Sequence, residues 1–227
     1  MVAVPNRAYM SVWLKEFPED RILERFGEFL ATVPFSSTKP GFTQLVIRAV
    51  DLTETPILEQ DLRAVPHGAT EVVEIAKNYL HSDSSYEVRS DWDLWVLPPA
   101  EDQWKLEPQP LDIFCHGEDF DDSFWQENGH MEVDFGFEHF FTGHAGLLGT
   151  RHGPASPPES PLEARLVEMM AWPENLATYQ EKTRENIRKV LGWVQRIEKA
   201  LPVKQLRLWS EGEENFEARL EEILAVR

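Results

Sequence analysis

The chain has one cysteine, no long apolar run and almost no positive charge in its middle third. The single Cys115 allows no internal disulfide bond and is typical of a reducing compartment. No apolar stretch reaches the roughly 18 residues of a membrane-spanning helix. The first residues lack the basic and apolar segments of a secretory signal. We therefore expect a cytoplasmic protein with no membrane interaction.

The shortage of positive charge is local. The whole chain has a formal net charge of -18. Residues 101–160 hold 13 acidic residues but only two basic ones, Lys105 and Arg151, and no Lys or Arg occurs between Glu107 and Thr150. Such a field repels nucleic acid, anionic lipid and free phosphate compounds, and it attracts cations and basic protein surfaces.

The first 150 residues alternate between strand and helix patterns. Strands are predicted in AYMSVWLKEF, FTQLVIRAVDL, SYEVRSDWDLWVL, LDIFCH and HMEVDFGF, and helices at about 18–33 and 69–80. The proline-rich PPAEDQWKLEPQP is predicted as a loop or an irregular edge. Residues 1–150 are thus interpreted as an α+β domain, with a mixed or antiparallel sheet, helices packed on one face and an acidic segment at 101–150.

A helical C-terminal region is predicted after a proline-rich linker. The linker is 151–161, and the helical region is 162–227. Its longest helix is expected from Pro173 to Leu201. Apolar side chains from Ile187 to Leu201 recur at spacings of three and four and form a seam. We expect this seam to pack on the sheet or on the other helices, and a homodimer contact through Ile187–Leu201 is the alternative.

The acidic segment contains the chain's candidate metal ligands. If the strands 111–116 and 130–136 pair antiparallel with His116 opposite His130, one polar face gathers two imidazoles and several carboxylates. His116, His130 and Asp134 could then bind Zn²⁺, Fe²⁺ or Mn²⁺, with Glu132 as an outer ligand or general base. A sheet with one face toward water gives the same alternation without any site. No HExxH or CxxC spacing is present.

The loop between these strands contains the candidate partner contacts. Asp119, Asp121 and Asp122 supply charge, and the aromatic residues Phe120, Phe124 and Trp125 are expected to be exposed, with Trp125 as the most prominent contact. The loop fails the EF-hand pattern, because phenylalanine and histidine stand where that pattern needs glycine and glutamate. An irregular calcium loop is the alternative to a solvated acidic loop.

The sequence favours a non-enzymatic role. We interpret the protein as an acidic binding protein of the inhibitor, immunity or assembly type, which docks a basic protein partner through the acidic face 107–144. Two alternatives remain open. One is a metal-dependent hydrolase with a two-His, one-carboxylate site on the strands 111–116 and 130–136. The other is an oligomerisation module that uses the C-terminal seam.

Overall fold

The computed structural model describes residues 5–98, 101, 103–144, 147–148 and 161–225. These residues contain seven strands and seven α-helices. The strands are β1 (Arg7–Leu14), β2 (Phe42–Ala49), β3 (Leu58–Asp61), β4 (Ser84–Val96), β5 (Lys105–His116), β6 (Met131–Phe137) and β7 (Val203–Ser210). The helices are α1 (Ile22–Leu30), α2 (Ala69–Ala76), α3 (Trp125–Asn128), α4 (His139–Thr142), α5 (Pro161–Met170), α6 (Pro173–Ala200) and α7 (Phe216–Ala225).

All seven strands form one antiparallel sheet. Their order is β3-β2-β4-β5-β6-β1-β7. The long central strands β4 and β5 pair from Ser85 opposite His116 to Val96 opposite Lys105. The predicted α+β class is therefore confirmed, and the sheet is antiparallel rather than mixed. The two edge strands, β3 and β7, are not predicted from the sequence.

One face of the sheet packs on the helices. Successive side chains of a strand point to opposite faces, and the alternate positions Met10 and Val12, or Ile113 and Cys115, are fully buried. Side chains from α1, α2, α6 and α7 join them in a single apolar cluster. The opposite positions of the same strands are largely polar, so the sheet has a core face and a polar face.

The prediction that 98–110 is a loop or irregular edge is partly wrong, because β5 begins at Lys105. Pro108 and Pro110 lie inside β5, opposite Asp93 and Asp91 of β4. Proline cannot donate a backbone hydrogen bond, so it is tolerated only where one side of the strand is unpaired. On its other side β5 pairs with β6 only from Asp112 to Cys115. The prolines therefore lie in the part of β5 that behaves as an edge.

The long C-terminal helix is confirmed, since α6 runs from Pro173 to Ala200. Its seam belongs to the apolar cluster, and Ile187, Val190 and Ile197 are almost fully buried. The expectation that the seam packs inside the chain is therefore confirmed, and the alternative of a homodimer contact through Ile187–Leu201 gains no support. Residues 151–160 of the predicted linker lie outside the described residues. None of the described helices combines the length and the apolar character needed to cross a bilayer.

Candidate functional site

The polar face of the sheet carries the predicted site residues of β5 and β6. Asp112 lies opposite Asp134, and the backbone N–H of His116 donates to the carbonyl oxygen of His130 over 2.8 Å. The predicted register of these strands is therefore confirmed. A shift by one residue would have turned the apolar side chains of β6 toward water, which is why the sequence pattern specifies the pairing.

Arginine side chains hold most carboxylates of the polar face. Arg7 Nε lies 2.5 Å from Asp134 Oδ2, and Arg89 Nε lies 3.1 Å from Asp112 Oδ1. Arg89 also pairs with Glu87 over 3.0 Å. Burial raises the pKa of Asp112, and the charge of Arg89 partly offsets this effect. Sequence reasoning missed these arginines, because Arg7 lies 127 positions from Asp134 and Arg89 lies on a different strand from Asp112.

Glu132 differs from these carboxylates, because it has no hydrogen bond or ion pair within the described residues. Its cross-strand neighbours are Ser11 of β1 and Phe114 of β5, and its Oε2 atom is buried without a partner. Burial, and next the charge of Asp134, raise the pKa of Glu132 to about 7, while Arg207 of β7 lowers it. The carboxyl group therefore keeps its proton to a higher pH than an ordinary glutamate does.

His116 is enclosed by aromatic side chains and is only 2% exposed. Phe120 stacks on its ring at a centroid distance of 5.8 Å, and Phe124 meets it edge-on at 5.0 Å. The Nδ1 atom lies 3.0 Å from Ser85 Oγ, and Nε2 has no hydrogen-bond partner. Burial lowers the pKa of His116 to about 3, with a smaller contribution from His130. The ring is therefore neutral at pH 7.

The tautomer of His130 follows from its contacts. The backbone N–H of Leu14 donates to Nδ1 over 3.0 Å, so the proton of the neutral ring is on Nε2. That Nε2 atom is buried without a hydrogen-bond partner and lies 3.7 Å from Glu118 Oε1. Trp125 stacks on one side of the ring at 4.4 Å, and Phe17 contacts the other at 4.5 Å. Burial lowers the pKa of His130 to about 4.

The predicted metal ligands share one face of the sheet but do not converge on a common point. In the part of the chain that the structure describes, no three His, Cys, Asp or Glu side chains are arranged to hold a metal ion. Asp134 is engaged by Arg7, and the Nδ1 atom of His130 is engaged by a backbone N–H. The alternative of a Zn, Fe or Mn hydrolase built on His116, His130, Asp134 and Glu132 therefore gains no support.

Residues 117–129, called the acidic loop below, connect β5 to β6 and cover both imidazoles. The loop is fixed to its surroundings by several contacts. The backbone N–H of Asp119 donates to Ser82 O over 2.9 Å, and that of Asp121 donates to Val50 O over 2.7 Å. The buried Phe120 anchors its first turn. Because backbone and aromatic contacts hold the loop in place, little conformational entropy remains to be lost when it binds a partner.

The carboxylates of the acidic loop are uncompensated. They are Glu118, Asp119, Asp121, Asp122 and Glu127, all exposed or partly exposed. None of them pairs with a Lys or Arg side chain among the described residues. Some exposed carboxylates elsewhere have such partners, as in the pairs Arg21–Glu24 and Arg63–Asp61. The predicted contact residues Asp119, Asp121 and Asp122 thus lie together on one exposed segment.

The expected exposure of the loop aromatics is wrong for Phe120, which is fully buried. Phe124 and Trp125 are partly buried, and Trp125 Nε1 donates to Glu118 O over 3.1 Å. All three rings are used to cover the imidazoles of His116 and His130. The physical reason is that both imidazole rings are neutral and offer a largely apolar surface. Packing against them removes the apolar surface of the aromatic rings from water, which lowers the free energy of the folded state.

Backbone strain is concentrated where the acidic loop meets the end of β2. In the described ranges, the non-glycine residues with positive φ are Val50 (75°), Asp121 (45°), Asp122 (52°) and Ser123 (67°). The left-handed conformation costs roughly 1–2 kcal/mol per residue, and only glycine, asparagine and aspartate adopt it readily. Such strain persists only where surrounding contacts impose it. Val50 is therefore the least expected residue of the four.

A cleft of about 380 Å³ lies on the other side of the acidic loop, between α3 and β7. The Arg207 guanidinium lies 5.6 Å from the Trp13 ring centroid and 5.5 Å from that of Trp209. It also donates to the backbone oxygen of Glu127 over 3.2 Å. A cation therefore borders the loop on the β7 side.

Comparison with known protein families, with curated proteins and with solved structures finds no match for this chain.

Proposed function

We propose that the protein is a binding protein of the inhibitor, immunity or assembly type and that it docks a basic protein partner through the acidic loop. One observation carries this proposal. The loop presents five carboxylates that pair with no Lys or Arg side chain among the described residues, on a backbone held by buried aromatic side chains and by hydrogen bonds to Ser82 and Val50. A fixed surface of one charge favours fast association and rejects partners of the same charge.

The proposed docking surface is narrower than the predicted face 107–144. Asp112 and Asp134 lie within that segment, but Arg89 and Arg7 already neutralise them. A carboxylate that is already paired inside the protein contributes little to the free energy of binding a partner, because the internal ion pair must be broken before a new one can form. The carboxylates of the acidic loop carry no such penalty, so we place the partner on residues 117–129.

A lysine-rich peptide of defined sequence provides the test. Its affinity for the wild-type protein is measured by calorimetry at about 50 mM and about 300 mM salt. These concentrations lie below and above about 0.1 M, where the Debye length is about 10 Å, so the higher one screens the exposed charges more strongly. We expect Asp121→Asn, Asp122→Asn and Glu127→Gln together to weaken binding about tenfold, since each exposed ion pair contributes about 0.2–1 kcal/mol. Higher salt should weaken wild-type binding more than it weakens binding by this loop variant.

The matched control changes the net charge equally on the helical side of the sheet. It combines Glu198→Gln, Glu214→Gln and Glu221→Gln, which are exposed positions in or next to α6 and α7. Binding by this control should stay close to wild type. Equal weakening in both variants would mean that only the overall charge matters, and the proposal of a localised docking surface would then be abandoned.

A further inference from the structure

Val50 occupies a backbone position that does not suit valine. It follows β2 with φ 75°, its N–H donates to Asp83 O over 3.0 Å, and its carbonyl oxygen accepts the N–H of Asp121 over 2.7 Å. A β-branched residue in the left-handed region is a genuine outlier, because its branched Cβ crowds the backbone. Glycine would make both hydrogen bonds without that strain.

The side chain of Val50 contributes little to the stability of the folded chain. It is 57% exposed, so it contributes little to the apolar core. Leu52, in the same connection between β2 and β3, is 43% exposed. Asp51 Oδ1 accepts hydrogen bonds from the backbone N–H groups of Thr53 and Glu54, which fixes this connection. The side chain of Val50 is thus held in water directly beside the acidic loop, and that of Leu52 is exposed two positions further along the chain.

We propose that Val50 and Leu52 form the apolar half of the docking surface and receive an aliphatic or aromatic side chain flanked by lysine or arginine on the basic partner. This inference rests on the proposed function and specifies the chemistry of the partner. A buried apolar contact surrounded by charge complementarity is the usual composition of a protein interface. The hydrogen bond between Val50 and Asp121 makes the two halves of the surface continuous.

Charge selects the partner over other occupants. A second copy of the chain would bring its own acidic loop and a formal charge of -18, so the two copies would repel each other. Nucleic acid and anionic lipid are repelled for the same reason. Arg207 and the exposed Lys204 lie on β7, whereas Arg48 of β2 is already paired with Glu87 over 3.0 Å. A cationic segment is therefore favoured on the side of Val50.

The test compares two synthetic peptides with equal numbers of lysines, one with leucines between them and one with serines. For Val50→Gly we expect two opposite effects. The midpoint of thermal unfolding should rise by about 2–4 °C, the shift that a modest relief of strain gives in a chain of this size. Affinity for the leucine peptide should fall about tenfold, and affinity for the serine peptide should not change.

Val65→Gly is the matched control. Val65 is also exposed, at 61%, and it lies near the opposite end of β2, where Phe42 bridges to His67. β2 is eight residues long, which separates its ends by roughly 25 Å. This variant should lower neither affinity and should not raise the unfolding midpoint.

The outcomes separate this inference from the proposed function. The inference is overturned if Val50→Gly binds the leucine peptide as tightly as the wild type does, or if it unfolds at a lower temperature than the wild type. If Val50→Gly gives such a result, but the variant with Asp121→Asn, Asp122→Asn and Glu127→Gln loses affinity for both peptides, the proposed function stands although this inference fails. If neither peptide binds the wild-type protein even in the millimolar range, or if that loop variant binds both as wild type does, the proposed function fails and this inference fails with it.

Discussion

Replacing Glu132 with glutamine should stabilise the protein more at pH 8 than at pH 5. The Glu132 carboxyl lies on the polar face between Ser11 and Phe114, with a buried oxygen that has no partner among the described residues. Its ionised form is therefore poorly solvated in the folded state and well solvated in the unfolded state. Glutamine has a similar shape and removes the charge.

The magnitude follows from the shift in pKa. Folding raises the pKa of Glu132 from 4.5 to about 7, and each unit corresponds to about 1.4 kcal/mol. Between these two values the unfolded chain has lost the proton while the folded chain keeps it, so the free energy of unfolding falls as the pH rises. The advantage of the variant should grow from about 1 kcal/mol at pH 5 to about 3 kcal/mol at pH 8.

Urea denaturation of both proteins between pH 5 and pH 8 measures this difference. Other groups titrate in the same range, but both proteins contain them. For example, burial lowers the pKa of His116 to about 3, so acid destabilises the fold below the ordinary histidine pKa in the wild type and in the variant alike. Only the Glu132 contribution remains after subtraction.

Glu127→Gln is the control for removing a carboxylate at the surface, because Glu127 is exposed. Its free energy of unfolding should follow the wild type at every pH. Parallel curves for Glu132→Gln and the wild type would refute the reasoning, because they would mean that the Glu132 carboxyl is solvated equally well in the folded and unfolded states.

Three further predictions concern the scaffold of the protein. Asn186→Ala should lower the free energy of unfolding by about 3 kcal/mol in urea, because its buried amide bonds the backbone N–H and oxygen of Trp95 and the oxygen of Phe140. Gly129→Ala should also destabilise the fold, since a Cβ would lie 2.7 Å from Val12 N at a φ of 92°. By contrast, Gly192→Ala in α6 meets nothing within 4 Å and should stabilise it by up to about 1 kcal/mol.

Strand alternation predicts the central part of the site. In β6 the apolar positions Met131 and Val133 alternate with Glu132 and Asp134, and only one register with β5 buries the apolar set. The opposition of Asp112 and Asp134 could therefore be predicted. The edge strand β7 could not be, because an edge strand is exposed on one side and its residues lack a clear buried alternation.

The same pattern could not reveal what each side chain contacts. The metal prediction counts His130 and Asp134 as open ligands, but a backbone N–H from Leu14 and the guanidinium of Arg7 engage them. The loop aromatics look exposed in an acidic sequence, although Phe120 is buried against His116. These partners lie on other strands or follow a turn whose geometry no periodicity encodes.

The sequence by itself determined the α+β class, the long helix from Pro173, the pairing of β5 with β6 and the local excess of negative charge. These features depend on periodicity and composition, which are properties of short segments. Only the tertiary structure decided which carboxylates have an arginine partner. Arg7 reaches Asp134 across 127 positions of the chain, and Val50 meets Asp121 only because two loops converge. Contacts between distant segments depend on how the whole sheet is assembled, and no local sequence pattern predicts them.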